Sequence, residues 1–209
     1  MKAITDLSQR SMNSFKHNQM KELAEMLSLG PERVYKEWVH DAITAMATDI
    51  YNSPYQQNKR PRTYEQVYDD CKHIVIEYAL AQRLNGMRNP KKFDMTDPDS
   101  YIWDVSTETF SANRLLFECK RHKENGGEMF SYANSGMKTF LKHRDNLDYV
   151  VSARVIEEKD YYLVKFTYIM DAPSFEDYWE RSKFNPTWES FYNNGKSNRD
   201  NNCVKINVQ

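Results

Sequence analysis

Asp104, Glu118 and Lys120 are the residues in this chain whose types and spacing could do chemistry. Thirteen residues separate the aspartate from the glutamate, and the lysine follows two positions later. Two carboxylates a few ångströms apart repel each other unless a cation lies between them. Hard oxygen ligands of this kind suit a magnesium ion, which keeps several waters and takes one or two carboxylates. A lysine on the same face as the glutamate can orient or help deprotonate a water, or stabilise charge building on a phosphate. The chemistry these groups point to is metal-assisted attack of water on a phosphodiester.

The elements that must position them are two strands and a helix. Residues 101–106 are rich in aromatic and β-branched types, residues 114–121 form a second β-like run, and the polar segment between them reads as a hairpin connection. Side chains alternate along a strand, so Leu115, Phe117 and Cys119 face one way and Leu116, Glu118 and Lys120 the other. The apolar side of that alternation fixes the register by burial. Asp104 lies in the first run between Trp103 and Val105. Asp99, in the literal Pro98-Asp99 pair, is the alternative carboxylate, but its Thr-Asp-Pro-Asp-Ser surroundings have the composition of a turn. Upstream, Thr63 and Gln66 have capping-box spacing, which predicts a helix that buries Val67, Cys71, Ile74, Val75, Tyr78 and Leu80 and ends near Gly86. Glu77 adjoins the apolar face of that helix, an unusual place for a charge without a partner. It is either a salt-bridge partner of Arg83 or His73, or a member of the site.

Asp104 followed by Glu118-Cys119-Lys120, with Glu77 on a preceding helix, resembles the PD-(D/E)xK nuclease superfamily, the restriction-endonuclease-like fold. The likeness spans roughly residues 64–170 in element order and rests on those four residues. It implies an α+β or α/β fold with a mixed central sheet flanked by helices, here with an N-terminal helical extension. It also implies a deoxyribonuclease in which Asp104 and Glu118 hold Mg2+ (or Mn2+ in its place). Lys120 would position or activate the attacking water, and Glu77 would support the metal shell through water.

Composition bounds the alternatives. A net charge of −1 is poor for coating nucleic acid, so DNA binding must come from local patches. Such patches are Arg83, Arg88, Lys91 and Lys92 towards and after the helix end, Lys120, Arg121, His122 and Lys123 closing the motif, and Lys138, Lys142, His143 and Arg144 further on. Three dispersed cysteines, with no Cys-x-x-Cys, argue against a zinc site or a disulfide framework and for a reducing, cytoplasmic setting. No apolar run is long enough to cross a membrane and the N-terminus lacks a signal-peptide core, so no membrane partner is expected. A homodimer stays open.

The remainder of the chain divides into an N-terminal helical segment and linker (1–63), a nuclease-like core (64–183) and a polar tail with the composition of disorder (184–209). Residues 1 to about 15 read as a loose arm or an irregular helix. Helical spacing begins at His17, breaks at Gly30-Pro31, and resumes to residue 51 with Val34, Trp38, Ile43 and Ile50 inward. That pair resembles a helix-turn-helix, whose second helix would offer Arg33 and Lys36 to DNA. Residues 52–63 form a proline-bracketed linker. After the motif, a helix from about residue 134 would bury Met137, Phe140 and Leu141. Strands at 149–156 and 161–170 are joined by a Glu-Glu-Lys-Asp turn. The rival function is a non-catalytic DNA-binding or regulatory protein that uses the N-terminal helices.

Overall fold

In the computed structural model, which describes residues 2–53, 61–90, 103–107, 114–122, 140, 142–181 and 203–207, the chain folds as a mixed α+β protein around one seven-stranded sheet. Helix α1 spans Lys2–Ser28, strand β1 Glu32–Tyr35, and helix α2 Lys36–Asn52. Helices α3 (Tyr64–Cys71) and α4 (Ile74–Arg83) follow, then strands β2 (Met87–Arg88), β3 (Val105–Thr107) and β4 (Leu115–Arg121). The long strands β5 (Tyr149–Glu157) and β6 (Tyr161–Asp171), helix α5 (Ala172–Arg181) and the short strand β7 (Cys203–Lys205) complete the described elements. No helix among the described residues is long and apolar enough to cross a membrane.

The strand order is β1–β6–β5–β4–β3–β2, with β7 also pairing β6, and β4–β5 is the parallel pair. Tyr149 to Glu157 and Tyr161 to Asp171 are densely apolar, with consecutive buried residues such as Tyr149–Val151 and Tyr168–Met170, as suits strands covered on both faces at the sheet's centre. One face of the sheet buries Val105, Phe117, Cys119, Val151 and Val164 in a core shared with Leu23 and Leu27 of α1, Ile43 and Ala47 of α2, and Ile76 and Leu80 of α4. The opposite face buries Val150, Tyr168 and Met170 with Phe140, Cys203 and Phe175 of α5. Asp171 caps that last helix, its carboxylate accepting the N–H of Ser174 at 2.9 Å.

Several expectations are corrected. Of the two readings of the N-terminal stretch, loose arm or irregular helix, the loose arm falls: the chain is helix from Lys2, with neither proline nor glycine to stop it. Residues Glu32–Tyr35 are not the first turn of a second helix. They form an edge strand antiparallel to β6, and α2 starts only at Lys36, so the helix-turn-helix is not made. Strand geometry turns Val34 inward at 0% exposure, while Trp38, expected inward, is 48% exposed and Val39 takes the buried place. Because β1 belongs to the same sheet as β4, the N-terminal segment shares the central sheet and its core. The tail contributes too: Cys203–Lys205 pairs with Tyr168, Ile169 and Met170.

The capping box at Thr63 and Gln66 is present, but the helix it starts breaks after Cys71. There the His73 ring nitrogen lies 2.9 Å from the Asp70 carbonyl and competes with the helical ladder. At the far end of α4, Gly86 N–H reaches the Ala81 carbonyl at 2.8 Å while Asn85 adopts φ +48°. This is a Schellman ending with asparagine, not glycine, in the left-handed position. Gly86 is needed for a different reason: a Cβ there would sit 2.5 Å from the Ser106 carbonyl oxygen of β3. That contact seats the helix end directly on the strand behind Asp104.

Candidate active site

The ladder between β3 and β4 places the central residues. Val105 is registered with Phe117, Ser106 with Leu116, and Thr107 with Leu115. Asp104 stands one residue before the ladder, 6% exposed, and is bound on both sides. Its N–H donates to the Phe117 carbonyl at 2.8 Å, and its own carbonyl accepts the N–H of Asn89 at 2.9 Å. Its carboxylate Oδ2 accepts the backbone N–H of Cys119 at 2.6 Å, where a backbone carbonyl would otherwise serve. The side-chain amide of Asn89 donates to the Trp103 carbonyl at 2.9 Å and holds the strand entry from the other side.

Along β4 the burial alternates as the sequence predicts. Leu115, Phe117 and Cys119 are buried against the helices, and Leu116, Glu118 and Lys120 are half-buried on the other face. Glu118 and Lys120 are ion-paired, their side chains 17% and 18% exposed. The fold therefore sets Asp104 at the start of the strand next to the one that carries Glu118 and Lys120, with neighbouring backbones about 5 Å apart.

Glu77 enters from the helical side. It lies in the first turn of α4, where the helix N-terminus favours a carboxylate, and it is fully buried. Arg88 of β2 donates to it from Nη2 at 3.0 Å and from Nε at 3.3 Å, and the His73 Nε2 lies 3.9 Å away. The same guanidinium stacks over Tyr78, 4.1 Å from the ring centre. Arg83, a partner expected for Glu77, is engaged elsewhere: it pairs with Glu32 and donates to the carbonyls of Met26 and Gly30. Glu77 is thus linked to the Asp104 strand through Arg88, whose neighbour Asn89 binds Asp104.

The candidate DNA-contacting residues separate by face. Arg121 points to the helices and grips Asp69, with Nη1 3.1 Å from Oδ2 and Nη2 3.3 Å from Oδ1. Burial pushes the Asp69 carboxyl up, but the Arg121 contact, with Lys72 beside it, holds it below the usual range. Lys36 and Lys72 both bind Glu157, at 2.9 and 2.6 Å, and lower its carboxyl in the same way. Arg88 belongs to Glu77. Arg33 is exposed on the face of the sheet opposite α3 and α4, over the Tyr161 ring at 5.2 Å. Arg144 pairs with Glu176 of α5. Asp99, Lys91, Lys92, Lys123, Lys138, Met137 and Leu141 lie outside the described residues.

Two groups near the site carry signals that sequence reasoning missed. His122 reads as one more base in a basic run, yet it is 3% exposed and neither ring nitrogen has a hydrogen-bond partner. Burial, with Arg154 close by, pushes its pKa down to about 4, so the ring is neutral. Asp148, before β5, accepts the Leu116 N–H at 2.9 Å, and burial raises its carboxyl above the ordinary value. Only the strand register exposes either role.

Among the described residues no three or more His, Cys, Asp or Glu side chains gather as a metal cage. Two carboxylates beside a lysine is instead the donor set of a cation that keeps most of its water. No protein-family model, curated protein or solved structure matches the chain.

Proposed function

We propose that the chain is a magnesium-dependent deoxyribonuclease with a restriction-endonuclease-like core around β3 and β4. The observation that carries this reading is the hydrogen bond from Cys119 N–H to the Asp104 carboxylate. It holds an acidic side chain against the strand that bears Glu118 and Lys120, in the order and spacing that the resemblance requires.

In this reading Asp104 and Glu118 would hold the cation, which supplies charge for the phosphate and acidity for a water when bound. Asp104 is fixed by Cys119 and by its backbone bonds to Phe117 and Asn89, so its carboxylate needs little reorganisation. Lys120, now paired with Glu118, would turn its ammonium to the attacking water or to the charge that grows on the phosphoryl oxygens. Glu77 acts through Arg88, keeping β2 and Asn89 seated behind Asp104. A positioned water suffices for in-line attack, and no covalent intermediate is required.

A second reading, DNA binding without cleavage, is favoured by the Glu118–Lys120 ion pair, which sets opposite charges against each other with no cation between them. One experiment separates the two. Supercoiled plasmid is incubated with the protein in magnesium, in manganese and in chelator, alongside Glu118→Gln. Nicking or linearisation that needs the metal and is lost in the variant supports the nuclease. Plasmid that is retarded on a gel but intact under every condition overturns it.

A further inference from the structure

The face of the sheet that carries Glu118 and Lys120 continues, row by row, to the opposite edge. Lys120 is registered with Ser152 of β5, and Arg154 lies two residues further along on the same side. Arg154 is opposite Lys165 of β6, and in the next row Leu163 is opposite Arg33 of β1. Directly opposed residues share a face, so the face bearing Lys120 also bears Arg154, Lys165 and Arg33. Crossing from β4 to β1 takes three strand steps, roughly 14 Å at about 4.8 Å each.

Near β4 this face is packed under α5, but toward β1 it is open. Arg33 and Lys165 are exposed, Arg154 and Tyr161 half-buried, and Tyr35 and Trp38 are 40% and 48% exposed. The aromatic rings form one group: Tyr35 lies 4.8 Å from Trp38 and 6.3 Å from Tyr161, centre to centre. Among the described residues, neither Arg33 nor Lys165 is tied to a carboxylate. Exposed glutamate and aspartate appear at the hairpin turn, Glu158 and Asp160, and they bound the surface at its end.

The exposed cations Arg33 and Lys165, beside the exposed rings of Tyr35 and Trp38, match one polymer. Its phosphates need the cations, and its unpaired bases need the ring faces. A duplex offers phosphates but keeps its bases stacked on one another, so it leaves the rings unused.

We propose that this face binds a single strand of nucleic acid. Bases lie on Tyr35 and Trp38, phosphates lie on Arg33 and Lys165, and the strand leads toward the side of the sheet that bears Glu118 and Lys120. The proposal names the form of substrate for the nuclease reading and rests on that reading only for where the strand leads.

The test uses the full chain and fluorescein-labelled oligo(dT) of about twenty nucleotides, followed by anisotropy in EDTA so that no cleavage intervenes. The wild type should bind oligo(dT) more tightly than a hairpin duplex of equal length. Tyr35→Ala and Trp38→Ala should each weaken it by about fivefold to a hundredfold. Lys165→Glu, a change at an exposed position outside the buried core, should weaken it and flatten its salt dependence. Variants that bind like the wild type, a tighter duplex, or displacement by polyglutamate at equal charge would each overturn the proposal. Intact binding by a protein that never cuts leaves it standing and counts against the nuclease reading alone.

Discussion

The carboxylate of Asp104 receives the backbone N–H of Cys119 at 2.6 Å, so the residue proposed to hold a metal also closes the sheet ladder. Structure and chemistry are therefore separable by substitution. Asp104→Ala strands a buried N–H and should destabilise the fold by about 1–3 kcal/mol. Asp104→Asn keeps an acceptor oxygen and should cost less, yet it removes the negative charge. If the nuclease reading holds, both variants lose plasmid cleavage, while urea unfolding ranks alanine well below asparagine. Cleavage that survives in the asparagine variant removes Asp104 from the metal site.

Glu77 and Arg88 form a buried ion pair behind the same strand. Removing one member of such a pair leaves an uncompensated charge, at a cost of roughly 3–5 kcal/mol. Arg88→Met should therefore lower stability strongly, and Glu77→Gln in the same chain should restore most of it. A double-mutant cycle by chemical denaturation measures the coupling. Additive losses would place the charge of Glu77 on a different partner.

Lys120 and Arg121 are adjacent in β4 but serve opposite faces. Lys120→Ala leaves Asp104 and Glu118 in place and should reduce cleavage by roughly a hundredfold to ten-thousandfold. Arg121→Ala breaks a pair whose acid is 45% exposed, and it should cost no more than about 1 kcal/mol while cleavage is kept. The comparison is a rate measured in magnesium for both variants at matched folded fraction. Equal rates for the two would remove the distinction between the faces.

What was legible in the sequence is what local pattern dictates. The alternation of β4, the long strands β5 and β6, the Thr63 capping box and the α+β class all follow from period and cap chemistry. What was not legible depended on distant partners. Glu32–Tyr35 follows a proline that suits a helix start, and only the open edge of β6 makes it a strand. Cys203–Lys205 is a few residues of polar tail until β6 pairs it. At the site, the types and spacing of Asp104, Glu118 and Lys120 were readable, but the role of Arg88 was not. A basic residue after a helix reads as a surface charge until the strand register turns it inward onto Glu77.

His122 supplies the pH dependence. Its folded pKa, about 4, lies below the ordinary histidine value near 6.5. The unfolded chain therefore binds the extra proton first as pH falls, and stability drops between about 6.5 and 4. The gap corresponds to at most roughly 3 kcal/mol, fully present above pH 6.5 and gone below 4. Asp148 works in the opposite sense, because burial holds its carboxyl above the ordinary value near 3.8 and its ionisation at higher pH opposes folding. The raw curve mixes the two, so the informative quantity is a difference. His122→Leu removes two buried nitrogens that lack hydrogen-bond partners and fills similar space beside Tyr168. Near pH 7 it should match or exceed the wild type in urea, since no hydrogen bond is lost. At pH 5 it should be the more stable of the two, with the gap closing as pH rises through 6.5. Parallel stability curves from pH 4 to 7 would mean that His122 takes up its proton in the folded state as readily as in the unfolded chain.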